Sequence, residues 1–322
     1  MSMHDRLDPE LVQPLQDFLA ATNGGISLDD IPAMRTTLRQ LNDVMKTLVP
    51  PVEGVVSEDR QVPGPEGAPD VPVRIYRPVE RSPQLPALLW IHGGGYVLGD
   101  IEGDDLRARQ FAKDLDCVVV SVEYRLAPEH PFPAPIEDCY AALKWLAATA
   151  GELGVDRSRI AIGGASAGGG LAAGLALLAR DRGEVTLAFQ LLIYPMIDDR
   201  NVAPADEQHP DTLIWSRANN IAGWRSYLGQ DGGGDDVSPY AAAFRATDLA
   251  GLPSAYIPVG DIDLFIDEDI LYARRLIQAG VPTELHVYPG GFHGFDALAP
   301  ATGIAQRFNA DLNQALRRAF AR

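Results

Sequence analysis

The sequence predicts an α/β fold in which a mostly parallel, eight-stranded sheet carries helices on both faces. Short apolar segments alternate with segments of helical periodicity over most of the chain, which is typical of parallel strands joined by helices. Residues 85–91 form a nearly continuous apolar run, as a strand buried on both faces requires. With 322 residues, 46% of them hydrophobic and 22% charged, the chain can bury a large core.

The chain is expected to begin with two helices, over residues 7–20 and 31–48. An acidic residue followed by proline, as in Asp8-Pro9-Glu10, is typical of a helix start. Pro50-Pro51 ends the second helical pattern, because the residue before a proline avoids the helical conformation.

Two strands come next, and from there strands and helices alternate. Residues 52–62 and 71–77 are separated only by a turn-rich segment, so these strands should form an antiparallel edge of the sheet. Further strands are expected at residues 85–91, 117–122, 159–162, 187–193, 255–259 and 283–288, and helices at 104–115, 136–149, 171–180, 267–279 and 303–321.

The interval 200–250 breaks the alternation. It holds Trp215, Trp224 and Tyr227 and then the glycine-rich segment 231–236. We expect residues 208–230 to be mostly helical and inserted after a strand, over the edge of the sheet where open α/β folds bind ligands.

Charge and cysteine content limit the partners and the compartment. A net charge of −17 argues against nucleic acid or an anionic membrane surface, since phosphate binding needs basic patches. The charged N-terminus does not resemble a secretory signal, and no stretch is long enough to span a bilayer, so we expect a cytoplasmic protein. Cys117 and Cys139 should then be free, buried thiols.

Ser166 is the candidate nucleophile. It lies in Gly164-Ala165-Ser166-Ala167-Gly168, between a strand-like and a helix-like segment. A Gly-x-Ser-x-Gly turn of this kind exposes the serine hydroxyl at the end of the sheet, and the glycines let the two arms of the turn approach each other. The alternative is a glycine-rich turn whose serine only caps the helix.

A serine nucleophile needs a base oriented by an acid, and in this architecture the acid precedes the base in the chain. His293 follows the last predicted strand on a glycine-flanked loop, where it could reach Ser166. The loop after the preceding strand offers Asp261, Asp263 and Asp267. Asp267 is well explained by the start of the next helix, and spacing alone leaves Asp261 and Asp263 open.

The segment His92-Gly93-Gly94-Gly95 directly follows an apolar strand. Backbone N–H groups of such glycines can donate to the oxyanion that forms during acyl transfer. The N–H of Ala167, next after the nucleophile and at a helix start, would complete this oxyanion hole.

Together these motifs resemble the bacterial hormone-sensitive-lipase-like esterases of the α/β-hydrolase superfamily, and the heroin-esterase-type carboxylesterases among them. The resemblance runs from about residue 70 to 300. It is carried by His92–Gly95, Glu123–Ala134, Gly164–Gly169, Tyr194-Pro195, Asp263–Glu268 and His293–Phe295.

The resemblance implies that Asp263 is the catalytic acid, although Leu264 replaces the proline that usually follows it. It also implies that Gly94 and Gly95 donate to the oxyanion, with Gly93 as a further candidate. Ala165 stands where the family commonly has aspartate.

The family resemblance further implies a carboxylesterase for short-chain acyl esters that needs no cofactor and forms a homodimer. Residues 1–50 would be N-terminal helices belonging to a cap, and residues 51–322 the catalytic domain, with a cap insertion at about 200–232.

Other classes of protein fit less well. A ligand-binding receptor of the same fold would lack a member of the Ser-His-Asp set, which is complete here. A dinucleotide-binding motif, a P-loop and the His-Glu-x-x-His motif of metallohydrolases are all missing. Lactone or amide hydrolysis would use the same residues and stays open.

Overall fold

The computed structural model describes residues 3–80, 84–206 and 211–321. Its eight strands are β1 (Val55–Val62), β2 (Val71–Pro78), β3 (Leu85–Ile91), β4 (Val118–Val122), β5 (Val155–Ala165), β6 (Phe189–Ile193), β7 (Ser254–Gly260) and β8 (Thr283–Tyr288). They form one sheet in the order β1-β2-β4-β3-β5-β6-β7-β8.

The helices lie between and around these strands. They are α1 (Met3–Arg6), α2 (Val12–Ala21), α3 (Ile31–Leu48), α4 (Asp105–Leu115), α5 (Ala134–Ala148), α6 (Ala150–Leu153), α7 (Ala167–Arg182), α8 (Arg217–Leu228), α9 (Ile266–Gln278), α10 (Phe295–Leu298) and α11 (Gly303–Phe320). Short 3₁₀ turns cover Pro9–Leu11 and Ala243–Arg245.

The strand directions agree with the α/β prediction. β1 and β2 pair antiparallel, as expected for strands joined by a turn, and β2 is also antiparallel to β4. The strands from β4 through β3 to β8 are parallel. Carboxyl ends of parallel strands meet at one edge of a sheet, so the loops after β3, β5, β7 and β8 converge there.

Apolar side chains pack on both faces of the sheet. Along β3, every residue is buried; Leu89 and Ile91 belong to one core cluster, while Leu88 and Trp90 belong to the other. The alternation follows from the period of two in a strand. Both cysteines are buried free thiols, as expected, with Cys139 in the first cluster and Cys117, just before β4, in the second.

Two expectations for helices were wrong in part. Residues 7–20 do not form one helix. Asp8 instead accepts a hydrogen bond from the Glu10 N–H and starts a 3₁₀ turn, and α2 begins only at Val12.

In the predicted insertion, residues 208–210 lie outside the described residues, and residues 211–216 are not helical. The helix begins after Ser216, whose hydroxyl oxygen caps it by accepting from the Asn219 N–H. α8 therefore occupies only the second half of the predicted range.

Candidate active site

Ser166 occupies a sharp turn between β5 and α7. Its backbone has φ 57° and ψ −121°, a conformation that is costly for a residue with a side chain. The flanking glycines explain how the turn closes: a Cβ at Gly168 would lie 2.1 Å from the carbonyl oxygen of Ile91, and one at Gly164 would lie 2.4 Å from the Gly168 backbone. The Ser166 hydroxyl makes no capping bond to α7, so the alternative of an ordinary cap serine is wrong.

Ser166, His293 and Asp263 form one line of hydrogen bonds. The Oγ atom of Ser166 is 2.9 Å from Nε2 of His293, and Nδ1 of His293 is 2.8 Å from Oδ2 of Asp263. All three side chains are buried. The other carboxylate oxygen, Oδ1 of Asp263, accepts a 3.0 Å hydrogen bond from the Phe265 N–H, which fixes the orientation of the carboxylate.

Aromatic rings hold the imidazole of His293 from two sides. The ring of Tyr194 lies 4.8 Å away and that of Phe265 5.1 Å away, both in edge-to-face geometry. The Tyr194 hydroxyl donates to Asp296, and Asp296 forms a 2.5 Å ion pair with Arg107. This buried arrangement restricts the imidazole to the position from which it reaches Ser166.

The other candidate acids lie elsewhere. Asp261 accepts a 2.6 Å hydrogen bond from the Gly290 N–H and forms an ion pair with Arg6 at 3.0 Å. It thus links the N-terminal segment to the loop that carries His293. Asp267 lies in the first turn of α9.

The three glycines after β3 lie against the elbow. A Cβ at Gly93 would be 2.8 Å from the carbonyl oxygen of Ala165 and 3.5 Å from Cβ of Ser166. Gly94 and Gly95 have φ values of 117° and 61°. Within the described ranges, their N–H groups donate to no backbone carbonyl, so they are free for a ligand.

The N–H of Ala167 is the third candidate donor. Ala167 is the first residue of α7, and the first N–H groups of a helix lack partners inside it. The positive end of the helix dipole also favours a negatively charged ligand at this position.

Sequence reasoning did not anticipate the role of Glu268. This buried carboxylate accepts hydrogen bonds from the N–H groups of Ile197 and Asp198, at 2.8 and 3.1 Å, and from the Asn201 side chain at 3.0 Å. Burial raises the pKa of Glu268 to about 8, although these hydrogen bonds act in the opposite direction. Glu268 lies next to Asp267 in the acidic first turn of α9, but its hydrogen-bond partners belong to the segment after β6.

The described residues hold no group of three or more His, Cys, Asp or Glu side chains arranged to bind a metal ion. No helix of the described ranges combines the length and apolar character needed to cross a membrane.

Comparison with known proteins gives consistent matches. A family model described as the alpha/beta hydrolase fold matches residues 88–297. Carboxylesterase NlhH of Mycobacterium tuberculosis is 39% identical over 305 residues, or 92% of this chain and 93% of that protein. Ethyl acetate hydrolase of Pseudomonas putida is 34% identical over 228 residues, or 70% and 71% of the two chains. The structure of a bacterial heroin esterase aligns with a TM-score of 0.92 at 42% identity, covering 99% of both chains.

Proposed function

Because this chain belongs to the alpha/beta hydrolase fold family, in its hormone-sensitive-lipase-like branch, and is a carboxylic ester hydrolase, we propose that it cleaves short-chain acyl esters through Ser166, His293 and Asp263. The observation that carries the proposal is the unbroken line of hydrogen bonds from Asp263 through His293 to Ser166 at 2.8 and 2.9 Å. The strained turn at Ser166 closes without a side-chain capping bond, so the fold itself has no need for this line of hydrogen bonds.

In the first half of the reaction, Nε2 of His293 takes the proton of the Ser166 hydroxyl while Oγ attacks the ester carbonyl carbon. Asp263 accepts the Nδ1–H hydrogen bond, which leaves Nε2 unprotonated and able to act as base. The same carboxylate stabilises the imidazolium that forms.

The carbonyl oxygen becomes negatively charged in the tetrahedral intermediate. The N–H groups of Gly94, Gly95 and Ala167 donate to this oxygen, with Gly93 as a further candidate donor. His293 then protonates the departing alcohol, and a water activated by the same imidazole hydrolyses the acyl-enzyme.

Two similarities support short acyl chains as the substrate class. Relatives include an ethyl acetate hydrolase, and the structure resembles that of a heroin esterase. We propose that residues 51–322 form the catalytic domain and that residues 1–50 and an insertion at about 200–232 cover the site. In this arrangement the cap limits the space available for an acyl chain.

Hydrolysis of p-nitrophenyl butyrate by Ser166→Ala tests the nucleophile, with Ser158→Ala, an exposed serine near the start of β5, as the matched control. We expect the Ser166 variant to lose about 10⁴-fold or more in kcat and the control to retain it. Turnover by Ser166→Ala close to that of the unsubstituted enzyme would refute the serine mechanism.

A series of p-nitrophenyl esters from acetate to laurate, together with a p-nitroanilide and a γ-lactone, tests the substrate class. We expect kcat/KM to be highest for acyl chains of about two to six carbons, because a covered site excludes longer ones. A maximum at laurate, or faster turnover of the anilide or the lactone, would contradict this assignment.

We also propose a cytoplasmic homodimer that uses no cofactor. Sedimentation velocity of the purified enzyme tests the oligomeric state, and retention of full activity after dialysis against a chelator tests the independence from a metal. A purely monomeric species at micromolar concentration would rule out the dimer.

A further inference from the structure

The loop that carries the oxyanion glycines has an unusual backbone. Three consecutive residues, Gly94, Gly95 and Tyr96, have positive φ values of 117°, 61° and 66°. Tyrosine rarely adopts such a conformation, which persists only where the surroundings hold it in place. The contacts around this loop therefore determine whether its N–H groups keep their direction.

The core holds one side of the loop. The Tyr96 hydroxyl donates to the carbonyl oxygen of Met196 at 2.7 Å, and the Tyr96 carbonyl accepts from the Ala127 N–H at 3.0 Å. These bonds fix residue 96 but contact neither Gly94 nor Gly95.

The inserted segment holds the other side. The six-membered ring of Trp215 fills the space that a Cβ of Gly95 would need, with its Cη2 atom 2.1 Å from that point. Gly223 of α8 is pressed against the same residue, since a Cβ there would be 3.1 Å from the Gly95 carbonyl oxygen. Gly95 is thus enclosed by the cap.

Aromatic stacking extends this contact to Tyr96. The ring of Tyr227, also on α8, stacks on that of Tyr96 at 4.0 Å between centroids with 12° between planes. Trp224 packs beside both rings, at 5.3 Å from Tyr96. The cap and the oxyanion loop therefore share a buried aromatic interface.

Trp215 is itself firmly placed. The backbone N–H of Trp215 donates to the carbonyl oxygen of Leu213 at 2.8 Å. This bond closes a three-residue turn in which Ile214 has φ 68°. This turn type is rare and strained, especially with a β-branched residue at its centre. The indole N–H of Trp215 also donates to Oδ1 of Asn220 at 3.2 Å. The strained turn and these two hydrogen bonds together hold the indole in one defined position against Gly95.

We propose that Trp215 is a positioning residue for the oxyanion hole: its indole holds Gly95 so that the Gly94 and Gly95 N–H groups point toward the reacting carbonyl. The inference rests on the proposed function, because it assumes that these N–H groups stabilise the oxyanion. Docking of the cap is then a condition for catalysis as well as a cover for the substrate.

The experiment compares Trp215→Ala with Trp145→Ala, which removes a half-buried tryptophan from α5, a helix that carries none of the site residues. Active Ser166 is first counted by stoichiometric labelling with a fluorophosphonate. Then kcat and KM for p-nitrophenyl butyrate are measured per labelled site, together with the Ki of an alkyl trifluoromethyl ketone. The adduct of this ketone with serine carries an oxyanion like that of the intermediate.

We expect Trp215→Ala to lower kcat per labelled site by about 10- to 100-fold. This loss is somewhat smaller than the loss in kcat that follows removal of one hydrogen-bond donor from an oxyanion hole. KM should change by less than about threefold. The Ki of the ketone should rise by the same factor as kcat/KM falls, because both depend on the oxyanion contacts. Trp145→Ala should lower the midpoint of unfolding without changing either quantity.

An unchanged Ki, or kcat per labelled site within threefold of the unsubstituted enzyme, would overturn the proposal. If the alanine variant cannot be labelled because it does not fold, Trp215→Phe gives the same comparison, since its shorter side chain leaves a gap at Gly95. Failure of the proposed function is distinguishable, because the unsubstituted enzyme would then not take the label on Ser166.

Discussion

Replacing Asp263 by asparagine should disable the base while leaving the site intact. In the native site, Oδ1 accepts from the Phe265 N–H at 3.0 Å and Oδ2 accepts from Nδ1 of His293 at 2.8 Å. Asparagine has only one side-chain oxygen, and the Phe265 N–H requires it. The side-chain NH₂ must then face Nδ1, so the imidazole adopts the tautomer that carries its proton on Nε2.

A protonated Nε2 cannot accept the proton of Ser166, which lies 2.9 Å away. The expected loss in kcat near pH 7.5 is about 10³- to 10⁴-fold, or about 4 to 5.5 kcal/mol of transition-state stabilisation at 1.36 kcal/mol per factor of ten. KM should change little, since in the proposed mechanism Asp263 acts on His293 and not on the ester. The folded state should lose no more than about 2 kcal/mol, because the new side chain keeps both hydrogen bonds.

Initial rates with p-nitrophenyl butyrate and urea unfolding measure the two effects. Asp261→Asn is the matched control: it keeps the oxygen that accepts from the Gly290 N–H and loses only a partly exposed ion pair with Arg6. Such pairs contribute about 0 to 1 kcal/mol, so its kcat should stay within about threefold of that of the unsubstituted enzyme. Loss of activity in Asp261→Asn, with Asp263→Asn still active, would show that the acid is misassigned.

Two further predictions concern stability. Since burial raises the pKa of Glu268 from 4.5 to about 8, the folded state binds the proton more tightly, so this group favours folding below about pH 4.5 and loses that contribution as the pH rises toward 8. In urea titrations at pH 5, 6.5 and 8, the unfolding free energy of Glu268→Gln should therefore fall between pH 5 and pH 8 by about 3 to 4 kcal/mol less than that of the unsubstituted enzyme, and parallel curves would contradict this. Gly168→Ala should lose about 3 kcal/mol of unfolding free energy and most of the activity, because its Cβ would lie 2.1 Å from the Ile91 carbonyl oxygen. Gly151→Ala is the control: no atom lies within 4 Å of the Cβ it adds, so unfolding and turnover should stay almost unchanged.

Much of the fold could be predicted from local patterns. The fully buried run in β3 and the β-branched run in β4 have lengths and compositions that few structures other than parallel strands accommodate. The candidates for nucleophile, acid and base could also be chosen from the sequence, because each of them comes after a recognisable strand. Spacing could not separate Asp261 from Asp263, since both lie in the loop after β7. Which of the two carboxylates faces His293 depends on the path of that loop, which spacing does not predict.

The remaining features depend on contacts between distant parts of the chain. The helical pattern of residues 208–230 did not indicate that α8 starts at Arg217, because the preceding residues form a turn around Ile214 from which Trp215 packs on Gly95, a residue of a distant segment. The burial of Glu268 depends likewise on a segment about 70 residues earlier. No local propensity encodes either contact.

The two cysteines give the folded chain a built-in pair of kinetic reporters. Cys139 lies in the core on one face of the sheet and Cys117 in the core on the other, and burial raises the pKa of both thiols. Neither can react with a thiol reagent until its own layer opens, because only an exposed thiolate is reactive. With no other cysteine in the sequence, the labelling rate at each position measures the opening of one layer independently of the other.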